Sequence, residues 1–242
     1  LEFRRVLFRS YPGKVATVAL AASANPAVVA FDGQYIWVTE LAAQAVVKID
    51  PATNAVVATV AVGNTPNAVL FDGTSIWVVN GGDGTLSKIN PSNNTEVARL
   101  TVGLGAYRIA FDGTSLWVTN YLSASIIKVD PVAPSVVQTY SVGASPVGIA
   151  SDGRFLWVTD NGTNSLLKVD PQDGSTLSTI SVGNNPQGVI VTGFDVWVTN
   201  SGGGSISRIN RTTGFVTATV PVGLGDNPRG LAFDGKIGRA HV

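Results

Sequence analysis

The sequence predicts an all-β fold built from copied four-stranded sheets, and two observations carry that prediction. Five tryptophans stand forty residues apart, each inside a similar phrase such as SLWVTN or DVWVTN: Trp37, Trp77, Trp117, Trp157 and Trp197. A fixed period of this length is typical of one supersecondary unit repeated along the chain. Glycine and proline recur throughout each copy, and no stretch shows helical periodicity, so helices are not expected.

One copy, residues 64–103, shows how the four strands follow from the residues. The predicted strands are 67–71, 75–79, 86–90 and 96–102. Asp72-Gly73 ends the first strand with a tight-turn signal, because glycine accepts a positive φ without steric cost. The second strand holds an unbroken apolar run around Trp77, which indicates burial on both faces.

The fourth strand of each copy is predicted to be an outer edge. It alternates between an apolar face and a mixed face, and the mixed face includes Arg99 in one copy and Pro221 in another. Charged residues and proline protect exposed sheet edges from pairing with other chains. Four antiparallel strands in forty residues, with the second strand buried and the fourth at an edge, are typical of a β-propeller blade.

The period divides the chain into five complete blades and one incomplete blade. The complete blades are predicted at about 25–63, 65–103, 105–143, 145–183 and 185–223. Residues 14–20 match a fourth strand and residues 227–233 match a first strand, so 11–21 and 225–235 together predict a partial blade. The propeller domain is therefore expected to span 11–235 and to be a fragment of a six- or seven-bladed ring.

Both ends of the chain depart from the repeat. Residues 1–10, LEFRRVLFRS, and residues 236–242, KIGRAHV, do not fit the period, and both resemble translated sequencing-adapter segments. We therefore interpret 1–10 and 236–242 as non-native and set them aside. Genomic sequence that continues through these codons would overturn this interpretation. The chain has no methionine, which fits an internal fragment.

The composition of the repeat region limits the possible functions. Residues 11–235 hold 11 basic and 15 acidic residues, a net charge of −4, which argues against a nucleic-acid or anionic-membrane partner. The absence of cysteine excludes disulfides, zinc–thiolate sites and thiol nucleophiles. Charged residues make up 13% of the chain, below the usual ~25%, and this weakly favours a secreted, periplasmic or cell-surface protein.

The repeat resembles a known family. The phrase WVTN, followed after a gap by V-x-K-I-D-P-x-T-x-x-V-x-T-V-x-V-G, is similar to the YVTN-type β-propeller repeat, with tryptophan in place of its tyrosine. This resemblance covers 11–235 and implies a propeller of the kind found on bacterial and archaeal surfaces. The blades also look like those of streptogramin lyase relatives, whose W-F-T-E phrase is matched by WVTE at Glu40.

Three columns recur in the copies, and each allows a functional and a structural interpretation. The tryptophans form a stacking platform or an inter-blade core, and their apolar surroundings favour the core. The basic column forms an anion-binding ring or a girdle with packed stems and solvated heads, paired with Asp50, Asp130 and Asp170; we favour the girdle. Its members are Lys48, Lys88, Lys128, Lys168 and Arg208. The Asp-Gly column is attributed to turn chemistry.

The residues that break the pattern are the candidates for ligand binding. Propellers bind ligands at one mouth of the channel, whose walls come from the fourth-to-first-strand connections and the second-to-third-strand turns. The predicted rim residues are Glu40, Asn67, Tyr107, Arg108, Tyr121, Asp160, Gln187 and Arg229. Two arginines and an amide suit a carboxylate, a phosphate or a polar sugar. Asn and Asp are also ordinary turn formers, and loop residues vary without a functional reason.

Two functions from different classes stay open. The first is a non-catalytic binding or interaction scaffold whose partner is a protein, a glycan or a small polar or anionic ligand, without cofactor or metal. The second is an enzyme similar to the streptogramin lyases, which needs a general base and a metal. The only histidine of the chain is His241, outside 11–235, so the lyase alternative requires catalytic residues in a missing part of the ring.

Overall fold

The computed structural model describes residues 5–9, 15–21, 24–222, 227–233 and 240–241, and their regular secondary structure is almost entirely β-strand, joined by short turns. The chain divides into two compact units, Leu1–Tyr107 and Arg108–Val242. A single turn of 3-10 helix, Ser201–Gly203, interrupts the strands of the described residues. No helix in this part of the chain is long and apolar enough to cross a membrane.

The first unit contains two complete blades. Blade 1 is β3 (Pro26–Phe31), β4 (Ile36–Glu40), β5 (Ala45–Asp50) and β6 (Ala55–Ala61). Blade 2 is β7 (Pro66–Phe71), β8 (Ile76–Asn80), β9 (Thr85–Asn90) and β10 (Thr95–Thr101). In both blades the strands pair antiparallel in chain order, so the first and fourth strands are the edges. A two-stranded sheet of β1 (Arg5–Arg9) and β2 (Val15–Ala19) precedes them.

The second unit contains the other three blades, and the boundary between the units falls inside β11. Blade 3 is β11 (Ala106–Phe111), β12 (Leu116–Asn120), β13 (Ser125–Asp130) and β14 (Ser135–Ser141). Blade 4 is β15 (Pro146–Ser151), β16 (Leu156–Asp160), β17 (Ser165–Val169) and β18 (Thr176–Ser181). Blade 5 is β19 (Pro186–Thr192), β20 (Asp195–Asn200), β21 (Ser205–Asn210) and β22 (Val216–Pro221). The short pair β23 (Ala232–Phe233) and β24 (Ala240–His241) follows.

The predicted fold class and strand order are confirmed. In blade 2 each strand lies within about one residue of its predicted bounds, the second strand is buried along its whole length, and the fourth is an edge. The strand bounds could be predicted because aspartate and glycine stabilise one particular turn conformation between the first and second strands. Asp72 accepts the amides of Thr74 and Ser75, while Gly73 takes a φ of 99°, a conformation that costs other residues free energy.

The cores lie between neighbouring blades and include Trp37, Trp117 and Trp157, whereas Trp197 is half-buried. Trp37, Trp77, Trp117 and Trp157 are 0% exposed, which confirms their interpretation as core residues. Within the first unit Trp37 packs with residues of both blades, including Val69 and Ile76. Within the second unit Trp117 and Trp157 do the same at successive junctions. Burying about 200 Å² of each of these four rings contributes about 5 kcal/mol per ring.

The two ends of the chain also form strands. The predicted terminal strands of the partial blade appear as β2, which pairs with β1, and β23, which pairs with β24. Arg5–Arg9, inside the segment that we set aside, lies in register with Val15–Ala19. Most of 236–242 lies outside the described residues. The non-native origin of both ends and the partial blade stay predictions.

Candidate functional site

Each tryptophan is fastened to the turn that precedes its strand. The indole Nε1 of Trp77 donates to Asp72 Oδ2 at 2.6 Å, and the equivalent bond occurs in blades 1, 3 and 4. In blade 5 Trp197 donates to Thr192 Oγ1 at 3.1 Å instead. The Asp-Gly column therefore has two tasks, because the same carboxylate that closes the turn also satisfies a buried indole.

These hydrogen bonds shift the acidity of the turn carboxyl groups. Burial on its own would raise the pKa values of Asp32, Asp72 and Asp152, because it disfavours the charged form. Hydrogen bonds from the tryptophan and from the amides of the turn outweigh burial, so all three pKa values lie below the ordinary value of 3.8. The three carboxylates are thus built to stay charged in the folded protein.

The basic column lies over the tryptophan column. The charged groups lie between 5.1 and 5.4 Å from the ring centroids, for Lys48, Lys88, Lys128, Lys168 and Arg208 in turn. This distance allows a cation–π attraction of about 0.5–1 kcal/mol. Lys48 is only 7% exposed, and its Nζ donates to the carbonyl of Pro91 at 2.7 Å. The prediction that these heads are solvated is therefore wrong for Lys48, whose ammonium is enclosed.

The expected pairing of this column with Asp50, Asp130 and Asp170 also differs from the structure. These three carboxylates accept backbone amides of their own turns. The ion pairs found among the described residues join Arg99 to Glu96, Arg208 to Asp195, and Arg211 to Asp152. An aspartate before proline caps its local turn, and this bond competes with a lysine for the carboxylate.

A threonine column at the ends of the second strands joins the innermost strands of adjacent blades. In the second unit Thr119 Oγ1 donates to Val147 O at 2.7 Å and accepts the amide of Arg108. Thr159 and Thr199 repeat this pattern. This role was not predicted from the sequence, although the repeated W-V-T phrase contains the signal. Its effect is to fix the strands that carry the rim residues.

Glu40 and Asp160 do not line an open rim. Asp160 is 1% exposed, and its carboxylate accepts bonds from the amides of Ala144, Ser145 and Gly162 and from the hydroxyl of Thr163. These four bonds, 2.7–3.1 Å long, use the acceptor sites of the group. Asp160 therefore holds the loop between blades 3 and 4 against its own turn.

Glu40 has the same position in blade 1 but different surroundings. It is 3% exposed, and burial raises the pKa of its carboxyl group. Among the residues that the structure describes, no hydrogen bond or ion pair reaches this carboxyl group. Asn67, another predicted rim residue of the first unit, donates from Nδ2 to the carbonyl of Ala106 at 3.2 Å. This bond links β7 to β11. It takes the place of the threonine bond, because blade 2 has Val79 at the position of the threonine column.

The other predicted rim residues keep accessible surface. Tyr107, the last residue of the first unit, is half-buried. In the second unit Arg108 and Gln187 are half-buried, Arg229 is exposed, and Tyr121 is 41% exposed. The three polar residues lie on or beside innermost strands, while Tyr121 begins the turn after β12. A Cβ on Gly188 would lie 2.4 Å from the carbonyl of Arg229, so these two segments approach closely.

A cluster of three amides joins this rim. Gln187 Nε2 donates to Asn185 Oδ1 at 2.7 Å, and Asn161 Nδ2 donates to the same oxygen. We call Asn161, Asn185 and Gln187 the amide cluster. Sequence reasoning identified only Gln187. The missed signal is Asn185, which precedes a proline and has a φ of 54°, a left-handed conformation that asparagine tolerates better than most residues.

Within the described residues, no group of three or more His, Cys, Asp or Glu side chains lies together as a metal site would require. The predicted rim residues of the second unit offer hydrogen bonding by an amide and guanidinium groups, together with the exposed ring of Tyr121.

Comparison with solved structures places this geometry in a known fold. The chain superimposes on a catalytically inactive H270A virginiamycin B lyase from Staphylococcus aureus with a TM-score of 0.84, over 96% of this chain and 83% of that chain, at 18% identity. A streptogramin B lyase structure gives a TM-score of 0.82 over 95% of this chain and 80% of the other, also at 18% identity.

Propellers with other functions are similar too. Hydrazine synthase from Kuenenia stuttgartiensis matches with a TM-score of 0.78 over 94% of this chain and 75% of that chain, at 21% identity. No protein-family model and no curated protein matches the sequence. Identities this low show the fold and leave activity open. The chain thus has a β-propeller fold, similar to that of these streptogramin B lyases.

Proposed function

We propose that this protein is a non-catalytic binding scaffold that holds a polar ligand at the rim of its second unit. The observation that supports this function is the accessible placement of Arg108, Gln187 and Arg229 on or beside innermost strands. The nearby carboxylate of Asp160 is occupied by four hydrogen bonds, so it is poorly suited to act as a general base. The rim thus favours recognition over proton transfer.

The residue types indicate what such a rim would recognise. A guanidinium group presents several donors in a fixed plane, which suits carboxylate and phosphate oxygens. An amide adds both a donor and an acceptor, which suits sugar hydroxyls. The threonine bonds between adjacent strands hold these side chains on a rigid support, and a rigid support lowers the entropy cost of binding.

The test replaces Arg108 and Arg229 together by alanine and measures binding to an array of anionic glycans that carry uronate and sulfate groups. We expect the parent protein to bind at least one of them and the double variant to bind it at least about tenfold more weakly. Arg99→Ala is the matched control, since Arg99 pairs with Glu96 on an outer strand. Unchanged binding by the double variant, or a parent that binds neither these glycans nor a neutral saccharide, would overturn the proposal.

An extracytoplasmic location is part of this proposal. It is supported by the low charged fraction of 13% and by a polar surface rich in Thr, Ser and Asn. Expression of the complete gene in its host, followed by fractionation and immunoblotting, tests it. Recovery of the protein only from the cytoplasmic fraction would contradict it.

A second candidate is a lyase-type activity, and one observation favours it. Glu40 is a buried carboxyl group with a raised pKa, in a chain that has the fold of virginiamycin B lyase. Quinupristin is bound in that lyase structure, so it is the substrate to test. Incubation with the protein, followed by liquid chromatography of intact quinupristin, decides the point. We expect the amount of intact quinupristin to stay constant. If it decreases, and Glu40→Gln abolishes the decrease, the protein is a lyase and the scaffold proposal is wrong.

A further inference from the structure

The amide cluster has features of a preorganised binding site, and they differ from those of the arginines. Asn185 Oδ1 accepts two hydrogen bonds, from Asn161 Nδ2 and Gln187 Nε2, so one atom ties together three side chains. All three residues are half-buried. Long polar side chains usually lose conformational entropy when they bind a ligand. Here the hydrogen bonds within the cluster already restrict the rotamers in the folded protein, so binding costs less entropy.

The internal bonds leave a defined set of hydrogen-bonding groups. With Asn185 Oδ1 occupied, its Nδ2 donor makes no hydrogen bond within the described residues. The acceptors Asn161 Oδ1 and Gln187 Oε1 are likewise unbonded there. The outward groups are therefore acceptor, donor, acceptor, together with the second N–H of Asn161 Nδ2 and of Gln187 Nε2. Rotating all three amides by half a turn keeps the internal bonds and gives donor, acceptor, donor, so the pattern alternates in either assignment.

The backbone fixes the central residue of this pattern. Asn185 has a φ of 54°, and its amide donates to Asn164 Oδ1 at 2.9 Å. Its carbonyl accepts both the amide and the hydroxyl of Ser201, at 2.9 and 3.2 Å. With the bonds from Asn161 and Gln187, five hydrogen bonds of side chain and backbone hold this left-handed residue. Asn185 cannot turn without breaking several of them.

We propose that the amide cluster binds the hydroxyl groups of a neutral saccharide, and this inference rests on the proposed function as a binding scaffold. A sugar hydroxyl donates and accepts at the same time, so vicinal hydroxyls complement an alternating pattern. A carboxylate only accepts at neutral pH and would face at least one amide oxygen. The cluster therefore favours a hydroxyl over a carboxylate at this subsite.

An aromatic ring occupies the adjacent turn. Tyr121 has the position in blade 3 that Asn161 has in blade 4, and Thr119 bonds the two blades together. It is 41% exposed, whereas the other large aromatic rings of blades 3 and 4 are largely covered. An exposed tyrosine offers a flat apolar face and a hydroxyl, which suit the face and the edge of a pyranose ring. The ring and the amides together fit one oligosaccharide that runs along the rim.

The experiment titrates the parent protein calorimetrically with three neutral hexasaccharides, cellohexaose, chitohexaose and mannohexaose, and with anionic hexagalacturonate. We expect at least one neutral hexasaccharide to bind. Asn185→Gly removes the central amide while keeping the left-handed backbone, and we expect it to weaken that binding at least about tenfold. Asn25→Gly is the matched control, because Asn25 has a φ of 48° at the equivalent position of blade 1.

A second variant separates the outward donor from the internal bonds. Asn185→Asp keeps two acceptor oxygens for Asn161 and Gln187 but removes the donor, so we expect a similar loss. The inference falls if no neutral hexasaccharide binds at millimolar concentration, or if either Asn185 variant binds as the parent does. If hexagalacturonate alone binds, and only the Arg108/Arg229 double variant abolishes this, the scaffold function stands and the saccharide inference fails.

Discussion

Arg208 Nη2 donates to Asp195 Oδ2 at 2.6 Å, and the same guanidinium group lies 5.4 Å from the ring centroid of Trp197. Asp195 raises the pKa of Arg208 further through this hydrogen bond. In the other blades the acidic residue stands three positions earlier, where it accepts the indole N–H, and blade 5 has Thr192 there. In blade 5 the carboxylate therefore bonds the cation above the ring, and a threonine hydroxyl bonds the indole N–H.

This relocation predicts that the two off-pattern residues of blade 5 are coupled. Asp195→Ser removes the partner of Arg208, and because the guanidinium group is 39% exposed we expect a loss of about 0–1 kcal/mol in the free energy of unfolding. Adding Thr192→Asp recreates the arrangement of Asp72 and Ser75 in blade 2, so the double variant should regain the loss. Urea unfolding of the four proteins in this cycle measures the coupling.

A double variant less stable than Asp195→Ser would contradict the coupling. Thr74→Asp in blade 2 is the control, since Thr74 lies in the equivalent turn but beside an aspartate that already serves the indole. We expect that change to have no stabilising effect.

The indole bond predicts a graded effect at Asp72. Asp72→Ala leaves the buried N–H of Trp77 without its acceptor, which costs about 1–3 kcal/mol. Asp72→Thr should cost less, because Thr192 shows that a threonine hydroxyl at this position reaches the indole. Thermal unfolding followed by tryptophan fluorescence compares the two. Asp130→Ala, which loses only turn bonds, is the control; equal losses for alanine and threonine at position 72 would contradict the account.

The blade architecture could be predicted from the sequence because it depends on periodic, local signals. Turn glycines, the apolar run at each tryptophan and the polar fourth strand act within one copy, so one copy reveals them all. The positions that differ depend on contacts between copies. Asp160 was predicted at the rim as an off-pattern residue, but it is buried because it caps a loop of the preceding junction.

The same reason explains the missed residues. Asn161 and Asn185 are separated by 24 positions and meet only because two blades pack together. The enclosure of Lys48 depends on Pro91, in the next blade. Periodicity places a side chain on a strand and a face, but the partner across a junction follows from the packing of blades.

The lowered pKa values predict a loss of stability in acid. For Asp32, Asp72 and Asp152 the folded protein holds the proton less tightly than the unfolded chain does. Their contribution is therefore fully present above the ordinary pKa of 3.8 and is lost as pH falls through the lower folded values. The urea concentration at the unfolding midpoint, measured from pH 6 down to about pH 2, should decrease once the pH is lower than about 4. The slope of this fall should be shallower in Asp72→Asn, and an unchanged slope would contradict the assignment.

Glu40 predicts a dependence of the opposite sign. Burial raises the pKa of its carboxyl group above the ordinary value of 4.5, so the folded protein binds the proton more tightly than the unfolded chain. Its contribution to stability is present below that value and is lost as pH rises through the folded pKa. We expect Glu40→Gln to be more stable than the parent at pH 7 and equal to it in acid. A variant that is less stable at pH 7 would show that the charged form is held by a favourable contact.

Asp160 connects stability with the rim. Asp160→Asn replaces one acceptor oxygen by a donor that faces the backbone N–H of Ala144 or Ser145, so we expect a loss of about 1–3 kcal/mol. Hydrogen exchange should quicken at these two amides and at Gly162, because all three donate to the carboxylate. Asp173→Asn, at an exposed turn of the same blade, is the control and should leave all three unchanged. Since Asn161 follows Asp160 directly, loosening this turn should also weaken saccharide binding, through a faster off-rate with a nearly unchanged on-rate. Normal exchange at Ala144 and Ser145 would show that the loop is held by other contacts.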